Sequence, residues 1–277
     1  MGMRITTNVA AINAQRQLVT SQRNIQNSMA QLSSGYRINR SADDAAGLAI
    51  SENMKAQLRS LAQAKRNAND GISLVQTAEG AMAEINNLGV RLRELAIQAS
   101  SDTVGENERG FINVEVQQLK SEIDRIAQSA NWNSVPLLDG TTPVFDIQIG
   151  SQATENDVIS YDASQNVATL EGLGLFDLDY STKEGALAGI GALDYATQLV
   201  SGMRANIGAL QNRLQSTIET LSVSEENIAA ANSRIRDTDI AQTSSEMARN
   251  QVMLQAGTAT LAQANQASML AIKLIGS

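Results

Sequence analysis

The chain has 277 residues, enough for one or two domains with a real core; 43% are hydrophobic but only 3% aromatic, so burial rests on Leu, Ile, Val, Ala and Met, a palette suited to helix packing. Cysteine and histidine are absent, which excludes disulfides, thiolate chemistry, Cys- or His-ligated metal and the commonest general base. The net charge of −8 is uneven: residues 1–44 hold five arginines against two acids and residues 45–235 thirteen basic against twenty-four acidic groups, with no clustered Lys and Arg interleaved with aromatics as nucleic-acid binding requires.

Near the amino end Ile5, Val9 and Ile12 are spaced four and three apart, and after a one-residue slip Leu18, Gln22, Ile25, Met29, Leu32 and Tyr36 repeat the step. This pattern predicts a coiled-coil helix. Gly35 is suited to end it, and Ser41, Asp43 and Asp44 are suited to cap the next, so a joint is expected near residues 35–44. A second helix is predicted over 45–100, with Val75, Ala78, Met82, Ile85, Leu88, Leu92 and Leu95 on one stripe; Gly71, Gly80 and Gly89 argue against perfect continuity. A third is predicted over 108–128, striped by Val114, Val116, Leu119, Ile123 and Ile126.

Both prolines, Pro136 and Pro143, fall in the segment 131–191. Phe145, Ile147 and Ile149 alternate with polar residues there and Val158 to Ser160 reads as a second strand, so this segment is expected to be a small β-rich excursion. The chain then returns to helix with Ile207, Leu214, Leu221, Ile228 and Ile235 at heptad spacing. The phase resets after Asp239, and Ile240, Met247, Leu254, Leu261, Ser268 and Ile275 recur every seven residues. The expected fold is mainly α: paired terminal coiled-coil helices (1–44 with 236–277) and a long helical bundle (45–235) carrying a small β-hairpin region at about 131–191.

Apolar stripes that reach both ends need covering, because terminal segments fray unless tied down. Further copies of the chain are the expected cover, which makes this a homo-oligomer. Neither a run of ~20 apolar residues nor a cleavable signal peptide is visible, so no membrane insertion is expected and export would use another route.

Residues Met3 to Ala11 (MRITTNVAA), Gln31 to Asn39 (QLSSGYRIN) and Ala42 to Ser51 (ADDAAGLAIS) closely resemble the amino-terminal signature of bacterial flagellins. Arg234 to Ala241 (RIRDTDIA), Gln255 to Gly257 and Leu261 to Gln266 resemble the matching carboxyl-terminal motif. The resemblance spans roughly 3–140 and 190–277 and leaves only about fifty residues between, as in a minimal flagellin without large outer domains. It departs from many relatives at Gln266 to Leu270, where a Pro-Gln pair is common.

The resemblance implies a secreted structural subunit that is exported unfolded and polymerises at the tip of an extracellular flagellar filament for swimming motility. It implies an inner tube packed through Ile5, Val9, Ile12, Leu18, Ile25, Leu32, Ile240, Met247, Leu254, Leu261 and Ile275. The partners implied are an export chaperone, the filament cap and hook-junction proteins. For some relatives there is also a Toll-like immune receptor, whose patch would fall on Arg91, Leu95 and Glu115. No cofactor and no metal is expected. A hook-filament junction protein, which shares flagellin-like ends, is the alternative. An enzyme is disfavoured, since the His-Glu-x-x-His motif of metallopeptidase-like relatives requires histidine.

Overall fold

The computed structural model describes residues 7–141 and 144–275, with side chains to residue 266. Among these residues the order is α1 (Val9–Ser34), α2 (Ala45–Ser100), α3 (Glu106–Ser129), β1 (Asn131–Trp132), β2 (Val135–Pro136), β3 (Phe145–Gln148), β4 (Val158–Tyr161), α4 (Lys183–Arg236) and α5 (Ile240–Ile275). The protein is mainly α, with two antiparallel two-stranded hairpins, β1β2 and β3β4, in the middle of the chain.

Local chemistry sets the helix ends. The Asn8 side chain accepts the Ala11 N–H at the start of α1, and Gly35, at φ 75°, closes it with its N–H on the Gln31 carbonyl. Asp44 caps α2 by accepting the Gly47 N–H. Arg109 satisfies the other end of α2 by donating to the carbonyls of Ala99 and Ser101. Thr182 accepts the Gly185 N–H at the start of α4. The chain divides into two compact units, with boundaries after Ala56 and before Asn227.

In the unit between those boundaries, α2, α3 and α4 share one core. It holds Val75, Ala78, Met82, Ile85, Leu92 and Leu95 of α2, Val116 and Ile123 of α3, and Leu193, Val200, Ile207 and Leu214 of α4. Arg91 bonds Glu115 and Arg93 bonds Asp194, tying α2 to α3 and to α4. The segment between α3 and α4 adds Leu137, Leu138, Leu173, Leu175 and Tyr180 to this core. Buried side chains of this size contribute about 1.5–3 kcal/mol each, so the hairpin region is held by burial rather than by its few strand pairs.

Of the expected third-helix stripe, Val116 and Ile123 are buried, Leu119 and Ile126 pack against the core, and Val114 is exposed; Ile112, Lys120 and Ala127 complete the buried face. The excursion also ends sooner than expected, because α4 begins at Lys183.

The other unit holds α1, α5, the two connections beside them, the first turns of α2 and the last turns of α4. In it α1 and α5 run antiparallel: Gly35 faces Thr238 at one end and Asn8 faces Ala264 at the other.

Candidate self-assembly interface

The α1 and α5 pair buries a single stripe of each helix. On α1 the covered positions are Ala11, Ala14, Leu18, Ser21, Ile25, Ser28 and Leu32, and on α5 they are Thr243, Met247, Asn250, Leu254, Gly257, Leu261 and Ala264. Both sets alternate steps of three and four, the spacing that keeps a stripe on one face of a two-helix coil. Many of these residues are small, so the backbones approach closely: a Cβ added at Gly257 would lie 2.7 Å from Leu18 Cδ2. The Asn8 amide donates to the Ala264 carbonyl at 2.9 Å and fixes the open end.

Six of the eleven expected packing residues, Leu18, Ile25, Leu32, Met247, Leu254 and Leu261, sit in this intramolecular seam. Three do not. Val9 (56% exposed), Ile12 (48%) and Ile240 (63%) are uncovered in the single chain. Ile5 lies outside the described residues and Ile275 outside the described side chains. The seam needs no slip, because Ala11, Ala14, Ser21 and Ser28 carry its phase; a pattern built from larger residues passes over them and takes up Gln22, Met29 and Tyr36, which are exposed.

Val9, Ile12, Val19 and Met29 on α1, with Val252 and Met253 on α5, are therefore exposed apolar residues outside the seam. Val9, Ile12 and Val19 form a second stripe, with Arg16 in the remaining place of the three-four pattern. Val19, Val252 and Met253 were legible only by asking for two stripes per helix instead of one. Uncovered side chains at helical spacing on a two-helix coil are suited to accept further helices.

The expected receptor patch is only partly at the surface. Arg91 and Glu115 are exposed and joined, with Arg91 Nε and Nη2 donating to Glu115 Oε1 at 3.0 and 2.9 Å and Nη1 to Glu94. The hydrogen bond to Glu115, then that to Glu94, holds the Arg91 guanidinium above its ordinary value. Leu95, by contrast, is 2% exposed and belongs to the core; it lies one position along the buried stripe from Leu92, so it offers no surface to a partner in this state.

No group of three or more metal-ligating side chains occurs among the described residues, and none of their helices is long and apolar enough to cross a membrane.

Comparison with known proteins gives one family at both ends. Residues 5–142 match the bacterial flagellin N-terminal helical region and residues 190–275 the bacterial flagellin C-terminal helical region. A flagellin of Halalkalibacterium halodurans is 43% identical over 99% of this chain and 100% of its own length. The flagellar filament core protein flaB2 of Brachyspira hyodysenteriae is 42% identical with the same coverage. The crystal structure of Bacillus cereus flagellin superposes with a TM-score of 0.51 at 29% identity, covering 60% of this chain and 94% of that one.

Proposed function

Since the chain belongs to the bacterial flagellin family, we propose that its work is mechanical: it is the structural subunit that polymerises in many copies into the extracellular flagellar filament. The family's role is structural and not enzymatic. The observation that carries this reading to the residue level is the divided duty of α1 and α5. One stripe of each is consumed within the chain, and a second stripe on α1, bearing Val9, Ile12 and Val19, with the adjacent Val252 and Met253 on α5, is left for neighbouring copies. In this reading α1 and α5 form the inner-tube domain, and α2, α3 and α4 form the outer bundle.

Finer parts of the reading follow from the family. The chain passes unfolded through the export channel, guarded by a chaperone, and folds beneath a cap at the filament tip. The lack of cysteine supports threading, since no disulfide stands in the way, and the sparse prolines support rapid helix formation, since slow isomerisation is nearly eliminated. If the released monomer activates a Toll-like receptor, Arg91 and Glu115 are its surface contacts; a reporter-cell assay with pure monomer tests this, and no response removes it.

The junction-protein alternative is not better supported, as the relatives named above are flagellins and filament core proteins. Seeded polymerisation viewed by electron microscopy separates the two. Micrometre filaments are expected, and short rings would favour the junction protein.

A further inference from the structure

The end of α1 and the start of α5, far apart in the chain, are stitched together by backbone and side-chain contacts. Arg37 N–H donates to the Arg236 carbonyl at 2.7 Å, and Thr238 N–H donates to the Gly35 carbonyl at 3.0 Å. Between them Tyr36 and Asp237 form an isolated antiparallel bridge. Arg37 Nη2 donates to the Ile235 carbonyl at 2.6 Å. Over this small ladder lies one side chain: the Arg236 guanidinium is 4.7 Å from the centroid of the Tyr36 ring and donates through Nη1 to Glu52 Oε1 on the first turns of α2. Only 17% of the Arg236 side chain is exposed, while its partners Glu52 (51%) and Tyr36 (42%) lie at the surface, so the shielding from water and salt is on the arginine side alone.

The seam that starts at this ladder specifies its register unevenly. Leu18 against Gly257 is one specific fit, but Ala11, Ala14, Ser21 and Ser28 are shallow places that discriminate weakly between one heptad and the next. Contacts outside the seam add to the choice. At the far end the Asn8 to Ala264 bond lies outside the seam, and at the joint the Arg236 cluster does. We infer that Arg236 is a positioning residue for assembly, pinning α1 against α5 through Tyr36 and Glu52 so that the outward stripe is presented in one register. The consequence for assembly rests on the filament reading; the pinning does not.

The absence of cysteine allows a direct test, because two introduced thiols are the only ones in the chain. Leu18→Cys with Gly257→Cys reports the native register, and Leu18→Cys with Ala264→Cys reports a displacement by one heptad. The parent and a Tyr36→Phe background, which keeps the ring face, are expected to oxidise mainly through the native pair. Arg236→Ala is expected to lower the native disulfide yield about fivefold and raise the displaced one, as loss of a ring contact and an ion pair near the surface implies. Arg236→Lys reaches Glu52 without the guanidinium plane and falls between them. A native yield in Arg236→Ala equal to that of the parent overturns the inference. Should Arg236→Ala lose helicity by circular dichroism, an unchanged native yield in Arg236→Lys overturns it instead. A parent that crosslinks natively but never polymerises contradicts the filament reading alone.

Discussion

At the scale of single residues the core sets sharp limits around Tyr180. This ring is fully buried, its hydroxyl has no hydrogen-bond partner among the described residues, and a Cβ added at Gly189 would sit 2.6 Å from its Cε1. Gly189→Ala is therefore expected to cost about 1–3 kcal/mol, whereas Tyr180→Phe, which removes an unsatisfied buried group, is expected to be neutral or mildly stabilising. Urea unfolding of the two variants checks both signs. The buried phenols also fix an alkaline limit. Burial raises Tyr161 and Tyr180 from 10.0 to about 12. A raised folded value means that their contribution is fully present below pH 10 and is lost as the pH climbs from 10 toward 12. Lys120 works the other way. Desolvation, first among its causes, lowers it below 10.5, so its contribution grows as the pH approaches that value. The net expectation is a bundle that holds to about pH 10 and unfolds beyond it, followed by circular dichroism against phenolate absorbance. Stability that continues unchanged to pH 12 would contradict the burial of both rings.

At the scale of elements, glycine illustrates what a sequence does and does not disclose. Three glycines in α2 argue against an unbroken helix, yet α2 runs without interruption from Ala45 to Ser100. Gly71 is explained by a neighbour distant in sequence: a Cβ there would lie 2.6 Å from Ile147 Cδ1 on β3, beside the bond from Asn67 to the Gln148 carbonyl. A Cβ at Gly80 or Gly89 would meet nothing within 4 Å among the described residues. Alanine at either of these is expected to stabilise the monomer by about 0.5–1 kcal/mol and at Gly71 to destabilise it, as thermal melts of the three variants would show.

The bounds of α2, the pairing of β3 with β4 and the stop at Gly35 were legible because periodicity, alternation and turn chemistry are local. The β1β2 hairpin was not, since its turn places Asn133 and Ser134 at φ 49° and 66° without the glycine that usually marks such a turn. The start of α4 was hidden by Gly185, Gly189 and Gly191. The seam of α1 was legible at Leu18, Ile25 and Leu32 but not between them or before them: its other covered places are filled by Ala and Ser, which carry little hydrophobic signal.

At the scale of the whole molecule, the division of labour between two stripes turns a chain into a subunit. Charge placed in the intramolecular seam and charge placed outside it are expected to differ in kind. Leu261→Asp puts an unpaired carboxylate into the half-buried seam, so it should loosen α1 from α5 and block assembly, while the bundle of α2, α3 and α4 keeps its cooperative unfolding. Val19→Asp lies outside the seam, where it is 52% exposed, and should leave the single chain intact.

The most direct measurement is seeded polymerisation of purified Val19→Asp beside the parent, read by electron microscopy with circular dichroism of each monomer. The account predicts long filaments from the parent, none from Val19→Asp, and equal helicity in the two. Normal filaments from Val19→Asp, or a parent that yields only rings, would contradict it.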